Sequence, residues 1–234
     1  MDRSLVTLVC LIGFLLEVGV VVCVLCRRNL YRYFPLGLYM LFSALTTVGG
    51  YSCISNFGYS SSAYVYFYYY SDALMTVLMF WVVIHFYGQA FDELKVSKVI
   101  RTGAIFLLAL TALFSYVVVN RNKDHLSGRF VIELSQNLYF VGVVLTYLLW
   151  GTILKLKETR ARLVQLVLAL GIYFSGIAVA YAFQNLFPRV GAGLLGWVPT
   201  IMSAWLPLAW IYTFIKIPEE SKVFTAQLEA KATV

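Results

Sequence analysis

Apolar runs, each about as long as a bilayer crossing, follow one another along the chain with short polar or basic breaks between them. A transmembrane helix needs ~20 mostly apolar residues. The runs predict seven spans, at 5–26, 36–54, 64–91, 102–119, 130–154, 163–187 and 197–217. The breaks read as turns. A basic stretch at 27–32 leads to Pro35, which suits a helix start. The charged link 91–101 reads as lying on the membrane surface, and 120–129 is the longest polar break between spans. Pro218 stops the last helix. The expected fold class is an all-α polytopic membrane protein: one seven-helix bundle over 1–217 and a tail over 218–234. The first run is longer than the ~7–15-residue core of a signal peptide, has no small-x-small cleavage site and is followed by Arg27 and Arg28, so it reads as an uncleaved span.

Composition agrees with that pattern. Of the 234 residues, 61% are hydrophobic and 12% charged, against roughly 45–50% and a quarter in soluble domains. The net charge of +7 changes the picture only through its placement. Thirteen Lys and Arg fall in the breaks after spans one, three and five and in the tail, and five fall on the other side. Cytoplasmic loops carry the excess of basic residues, which predicts an external N-terminus, a cytoplasmic C-terminus and a plasma-membrane location. The basic residues meet lipid headgroups, so the lipid bilayer is a partner and nucleic acid is not.

The third run is the one the bundle is expected to organise around, because it carries Asp72 at membrane depth. Intramembrane carboxylates are costly, face protein or water, and mark functional sites. With the orientation above, Asp72 falls in the outer half, with Thr76 one turn on. Glu133, Gln136, Asn137 and Phe140 recur at i, i+3, i+4 and i+7 and share a face of span five. Gln184 closes span six on the outside, and Ser203 lies in the outer part of span seven. Tyrosines crowd the outer end of span three. Asp72, Thr76, Glu133, Gln136, Asn137, Gln184 and Ser203 are thus the expected ligand-binding set, lining an outward polar and aromatic cavity for a small-molecule or lipid-like ligand. The competing reading is that these groups only bond across helices, with the tyrosines forming an interfacial belt.

Glu17, mid-span in the first helix, is with Asp72 a proton-binding candidate. It is alternatively the partner of a donor on span two, where Thr46 and Thr47 sit at similar depth. His85 reads as a bonded interfacial histidine, since the second histidine, His125, lies in an external loop. Cys23 and Cys26 read as small buried residues, and a disulfide between Cys10 and Cys53 is allowed. Pro207 is expected to kink span seven. Gly49, Gly50, Gly171 and Gly176 are expected to permit close helix contact. No hydrolase, zinc or nucleotide-binding motif occurs, so neither an enzyme nor a cofactor is expected.

Short echoes link the two ends of the chain: residues 18–21 with 141–144, and Met75-Thr76 with Met202-Ser203. A parallel repeat of three spans on either side of a linking fourth would produce them. The string 71–76 loosely resembles the third helix of microbial rhodopsins. Span seven has no lysine before Lys216, which excludes retinal chemistry. The Arg-Arg-x-Leu-Tyr-Arg-x-Phe-Pro turn at 27–35, an aromatic second span and an acidic third span together resemble a group of uncharacterised bacterial seven-span proteins. The chain is also similar to the seven-span sensor regions that precede bacterial kinases. The resemblance implies the architecture. The function expected is a receptor-like sensor that binds a small ligand and signals to a cytoplasmic protein. The alternatives are a small or proton-coupled transporter of the three-plus-one-plus-three type, and a structural subunit of a membrane complex. A homo-oligomer is compatible with each.

Overall fold

The computed structural model describes residues 3–26, 30–58, 61–90, 102–103, 106, 109–111, 113, 126–155, 160–186 and 198–218. Within its helices, the side chains at 3–7, 9–10, 30–31, 126–133, 135, 154–155 and 184–185 lie outside the description. The described chain is helical: α1 (Arg3–Cys26), α2 (Leu30–Phe57), α3 (Ser62–Ala90), α4 (102–103, 106, 109–111 and 113 of the expected fourth span), α5 (Leu126–Lys155), α6 (Ala161–Leu186) and α7 (Val198–Lys216). Five of these, α2, α3, α5, α6 and α7, are long and apolar enough to cross a membrane. The apolar part of α1, Leu11–Cys26, is shorter. Large apolar side chains such as Leu15, Leu45, Val144 and Ile215 point outward and are more than half exposed. Outward faces as apolar as the interior are what a helix solvated by lipid presents.

Six helices close a ring. α1 packs on α2, α2 on α3, α3 on α5, α5 on α6 and α6 on α7, and α7 returns to α1. Exchanging α1–α3 with α5–α7 leaves this neighbour map unchanged, as a parallel three-helix repeat requires. Small residues set the approach. At Gly176 a Cβ would lie 2.5 Å from the Met202 sulfur of α7, and at Gly49 it would lie 2.6 Å from the Phe67 ring of α3. Both contacts need the missing side chain. The echo residue Gly142 of α5 likewise abuts Phe174 of α6.

One end of the ring carries Arg32, Arg160, Arg162 and Lys216 and is called here the basic end. α2 enters it differently from expectation. The helix begins before Pro35, at Leu30, and kinks at Tyr33 (φ −121°, ψ 21°). Pro35 cannot donate to a carbonyl of the turn before it, and the kink falls within that turn. The Arg32 carbonyl at this kink is met by His85 Nε2 at 2.6 Å and accepts from Gln89 Nε2 at 2.6 Å. These two side chains are one turn apart on α3, and His85 is bonded as expected. Arg160 donates to the Gln89 carbonyl at 2.8 Å. Arg162, 2% exposed, sends Nε and Nη2 to the Ile217 carbonyl at 3.0 and 2.7 Å and lies over the Phe214 ring. Phe214 in turn meets Tyr33 edge-on at 5.2 Å. α7 remains a continuous helix across Pro207.

Candidate functional site

Inside the ring, toward the end opposite the basic one, lies a cavity of about 340 Å³ to which all six ring helices contribute. Its lining starts at Ile54 and Tyr64, beside the α2–α3 turn, and descends along α2 to Tyr39. Fifteen residues of helix at ~1.5 Å each make that descent roughly 22 Å. Below Tyr39 the interior is solid. Leu36, Phe86, Leu166, Trp210 and Phe214 are each at most 1% exposed. Tyr39 marks the boundary, its ring edge-on to Trp210 at 6.2 Å.

Two carboxyl groups line the cavity from opposite sides of α2. Glu17 of α1 is 7% exposed, and both its oxygens accept hydrogen bonds. Ser43 donates to one at 2.5 Å and Thr47 to the other at 3.2 Å. Ser43 and Thr47 are one turn apart, so a single face of α2 supplies both donors. A buried carboxyl without such donors costs several kcal/mol, which accounts for hydroxyls at this depth in an apolar helix. Thr46, expected as a partner, turns instead to the Ser43 carbonyl at 2.8 Å.

Asp72 of α3 is half-buried and lines the same cavity. Tyr39, Tyr68, Tyr139 and Tyr173, which stand on α2, α3, α5 and α6, line the cavity with it. Tyr173 is hydrogen-bonded through its side chain to both Tyr39 and Tyr139. The Tyr139 ring lies 6.4 Å from that of Tyr173 and 5.7 Å from that of Tyr181. A connected tyrosine cluster therefore faces the carboxylate across the ring.

Of the expected site residues, Asp72, Ser203 and Glu17 line this cavity. Thr76 is 1% exposed and lies outside the lining, its hydroxyl donated at 2.8 Å to the backbone carbonyl of Asp72. Gln136 and Asn137 are half-buried and also outside the lining. The Glu133 and Gln184 side chains lie outside the described residues. The inward face of α5 is rotated from the one expected. Tyr139, Gly142, Thr146 and Ile153 are buried, whereas Phe140 is 41% exposed. The reason is the close packing of Gly142 on Phe174, which turns the next residue on that stripe, Tyr139, inward. Sequence reasoning also passed over Tyr39, Ser43 and Tyr173; the i, i+4 spacing of Ser43 and Thr47 was the available signal.

Among the described residues no three His, Cys, Asp or Glu side chains converge as a metal site. Cys53 is a free cysteine and Cys26 an exposed one, so Cys53 is not in the allowed disulfide; the Cys10 side chain lies outside the description. Among the described lining residues there is no lysine, arginine or histidine. Compared with family models, curated proteins and solved structures, the chain gives no match.

Proposed function

We propose that this chain is a seven-span, receptor-like sensor of the plasma membrane. Its N-terminus is external and its basic end cytoplasmic. A small ligand enters the cavity from outside and contacts Asp72 and the tyrosine cluster, and the change is passed to a cytoplasmic partner at the basic end. The observation that carries this reading is the cavity itself. It is polar and aromatic, it is lined by every helix of the ring, and it ends on a packed floor. Ligand pockets in helical bundles have this form, apolar walls with a few convergent polar groups. A ligand touching six helices at once can bias their arrangement, which any sensor must do.

The test is a panel of small metabolites applied to the full chain in lipid nanodiscs, read as thermal stabilisation. At least one compound is expected to stabilise the wild type and to lose its effect in Asp72→Ala. If every responding compound acts equally on Asp72→Ala, the reading fails. The exchange symmetry of the ring favours one competing reading, a carrier of the three-plus-one-plus-three type with Glu17 as its proton site. Accumulation of the stabilising compound in proteoliposomes, with a pH dependence lost in Glu17→Gln, would replace the sensor by that carrier.

A further inference from the structure

α1 and α7 close the ring, and their inner stripes lose cover at the same depth. On α1 the core-facing stripe runs at i, i+4, i+7 and i+11 through Gly13, Glu17, Val20 and Val24. The last three are 7%, 0% and 2% exposed, whereas a Cβ on Gly13 would meet no described atom within 4 Å. On α7 the same spacing gives Ser203, Pro207, Trp210 and Phe214. The last three are buried, yet Ser203, which lines the cavity, is exposed. Further in, the two helices touch: a Cβ on Gly19 would lie 3.0 Å from Ile211. Among the described residues, none from 8 to 16 is buried, and Glu17 is the one α1 residue in the lining. The α1–α7 seam is therefore shut toward the basic end and open beyond Glu17.

Depth decides where that gap leads. Glu17 precedes Cys26, the end of α1, by nine residues, or about 13 Å of helix. That is near the middle of a hydrocarbon core ~30 Å thick. The gap opens sideways into the outer leaflet, beside Leu8, Leu11, Ile12 and Leu15, which are 47–60% exposed. The lining also states what the chamber wants. Ser43, Thr46, Thr47, Ser71 and Ser203 each donate to a carboxyl or a backbone carbonyl of the protein. A hydroxyl that has donated keeps lone pairs for accepting, so these five favour a ligand that donates. At about 340 Å³ the chamber is at the small end of ligand pockets, a size for a head group without a long chain. Resting on the receptor reading above, we propose that the ligand is an amphiphile of the outer leaflet. Its hydrogen-bond-donating head occupies the chamber, and its alkyl chain leaves between the outer halves of α1 and α7.

The experiment puts a reporter thiol in the chamber and a plug in the gap. Thr46→Cys is introduced into the full chain, with the native cysteines replaced by alanine, and its labelling by methyl methanethiosulfonate is timed in lipid nanodiscs. 1-Dodecylglycerol, a diol head on one chain, is expected to slow labelling at least threefold. Glycerol is not, and neither is the dimethyl ether of dodecylglycerol, which keeps the chain and loses both donors. Gly13→Trp fills the gap and should remove the protection; Gly13→Ala adds only a methyl group and should keep it. A nitroxide on Ser203→Cys gives a second measure: oxygen, which concentrates in hydrocarbon, should relax it at least threefold more than a nickel chelate confined to water. Equal protection in the two Gly13 variants, no protection by dodecylglycerol, protection by glycerol as strong as by dodecylglycerol, or a nitroxide relaxed mainly by the chelate would overturn the amphiphile inference. Equal protection by the dimethyl ether would overturn its donating head. The receptor reading survives each of these results, because it stands or falls on the response of Asp72→Ala.

Discussion

Gly142 is the position where the packing makes the sharpest demand. A Cβ there would lie 2.5, 2.7 and 2.8 Å from three atoms of the Phe174 ring, against the 3.4 Å at which ordinary contact begins. To admit a methyl group the ring must retreat by roughly 1 Å, and overpacking of that kind costs about 1–3 kcal/mol in a close-packed interior. The ring has nowhere easy to go. Phe174 is fully buried and packs on Tyr139 and Tyr173, with ring centroids 6.2 and 5.9 Å away. Alanine is also a better helix former than glycine by about 1 kcal/mol, which masks part of the clash. Gly151, about two and a half turns further along α5 with nothing within 4 Å of its would-be Cβ, supplies the correction. Gly142→Ala and Gly151→Ala gain the same propensity term, and only the first meets a ring. The expected difference in unfolding free energy, measured by SDS titration in mixed micelles, is about 2 kcal/mol in favour of Gly151→Ala. Adding Phe174→Leu to both variants should shrink the difference by at least about 0.5 kcal/mol, the size of coupling seen between touching residues. Equal stabilities for the two alanine variants would refute the close approach of α5 and α6.

Two further outcomes follow from the polar contacts. Ser43→Ala with Thr47→Val should cost about 2–4 kcal/mol, because it strips both donors from a buried carboxyl, and under about 1 kcal/mol when Glu17 is already leucine; a double-mutant cycle with no coupling would show that the hydroxyls do not serve Glu17. Arg162→Lys keeps the charge but cannot place two donors on the Ile217 carbonyl and stack on Phe214, so it should cost about 1–2 kcal/mol. Hydrogen exchange at the Ile217 amide, which donates to the Thr213 carbonyl at 3.1 Å, should then quicken by roughly tenfold; unchanged exchange would count against that contact.

The helices were legible because their signal is length. Apolar runs bounded by charges located α3, α6 and α7 to within a residue or two of their observed ends. The start of α2 was not legible. Pro35 reads as a first-turn residue, yet the helix extends beyond it because His85 and Gln89, far off in sequence, attend the Arg32 carbonyl at the kink. The inward face of α5 was missed for a related reason. In a lipid-solvated helix both faces are apolar, so polarity alone does not say which faces the core. The polar stripe from Gln136 to Phe140 drew the eye, while Gly142, which decides the contact, carries no polarity. Asp72 and Glu17 were legible because a carboxyl in an apolar run has few explanations. Their surroundings were not, since Tyr39, Tyr139 and Tyr173 come together only through the closure of the ring.

The bonds at the basic end form a hoop. Arg32 is clipped to α3, Arg160 reaches from the start of α6 to α3, Arg162 holds the end of α7, and Tyr33 bridges to Phe214. Helices pinned at one end move as levers, so a tilt of 5° about the hoop shifts the rim of a ~30 Å helix by about 2–3 Å and leaves the base almost still. A device that only listens can work by such tilting and release a single clip to speak. One that hands cargo through must part the whole hoop, and the number of clips that break when the cavity fills is therefore the physical difference between the two.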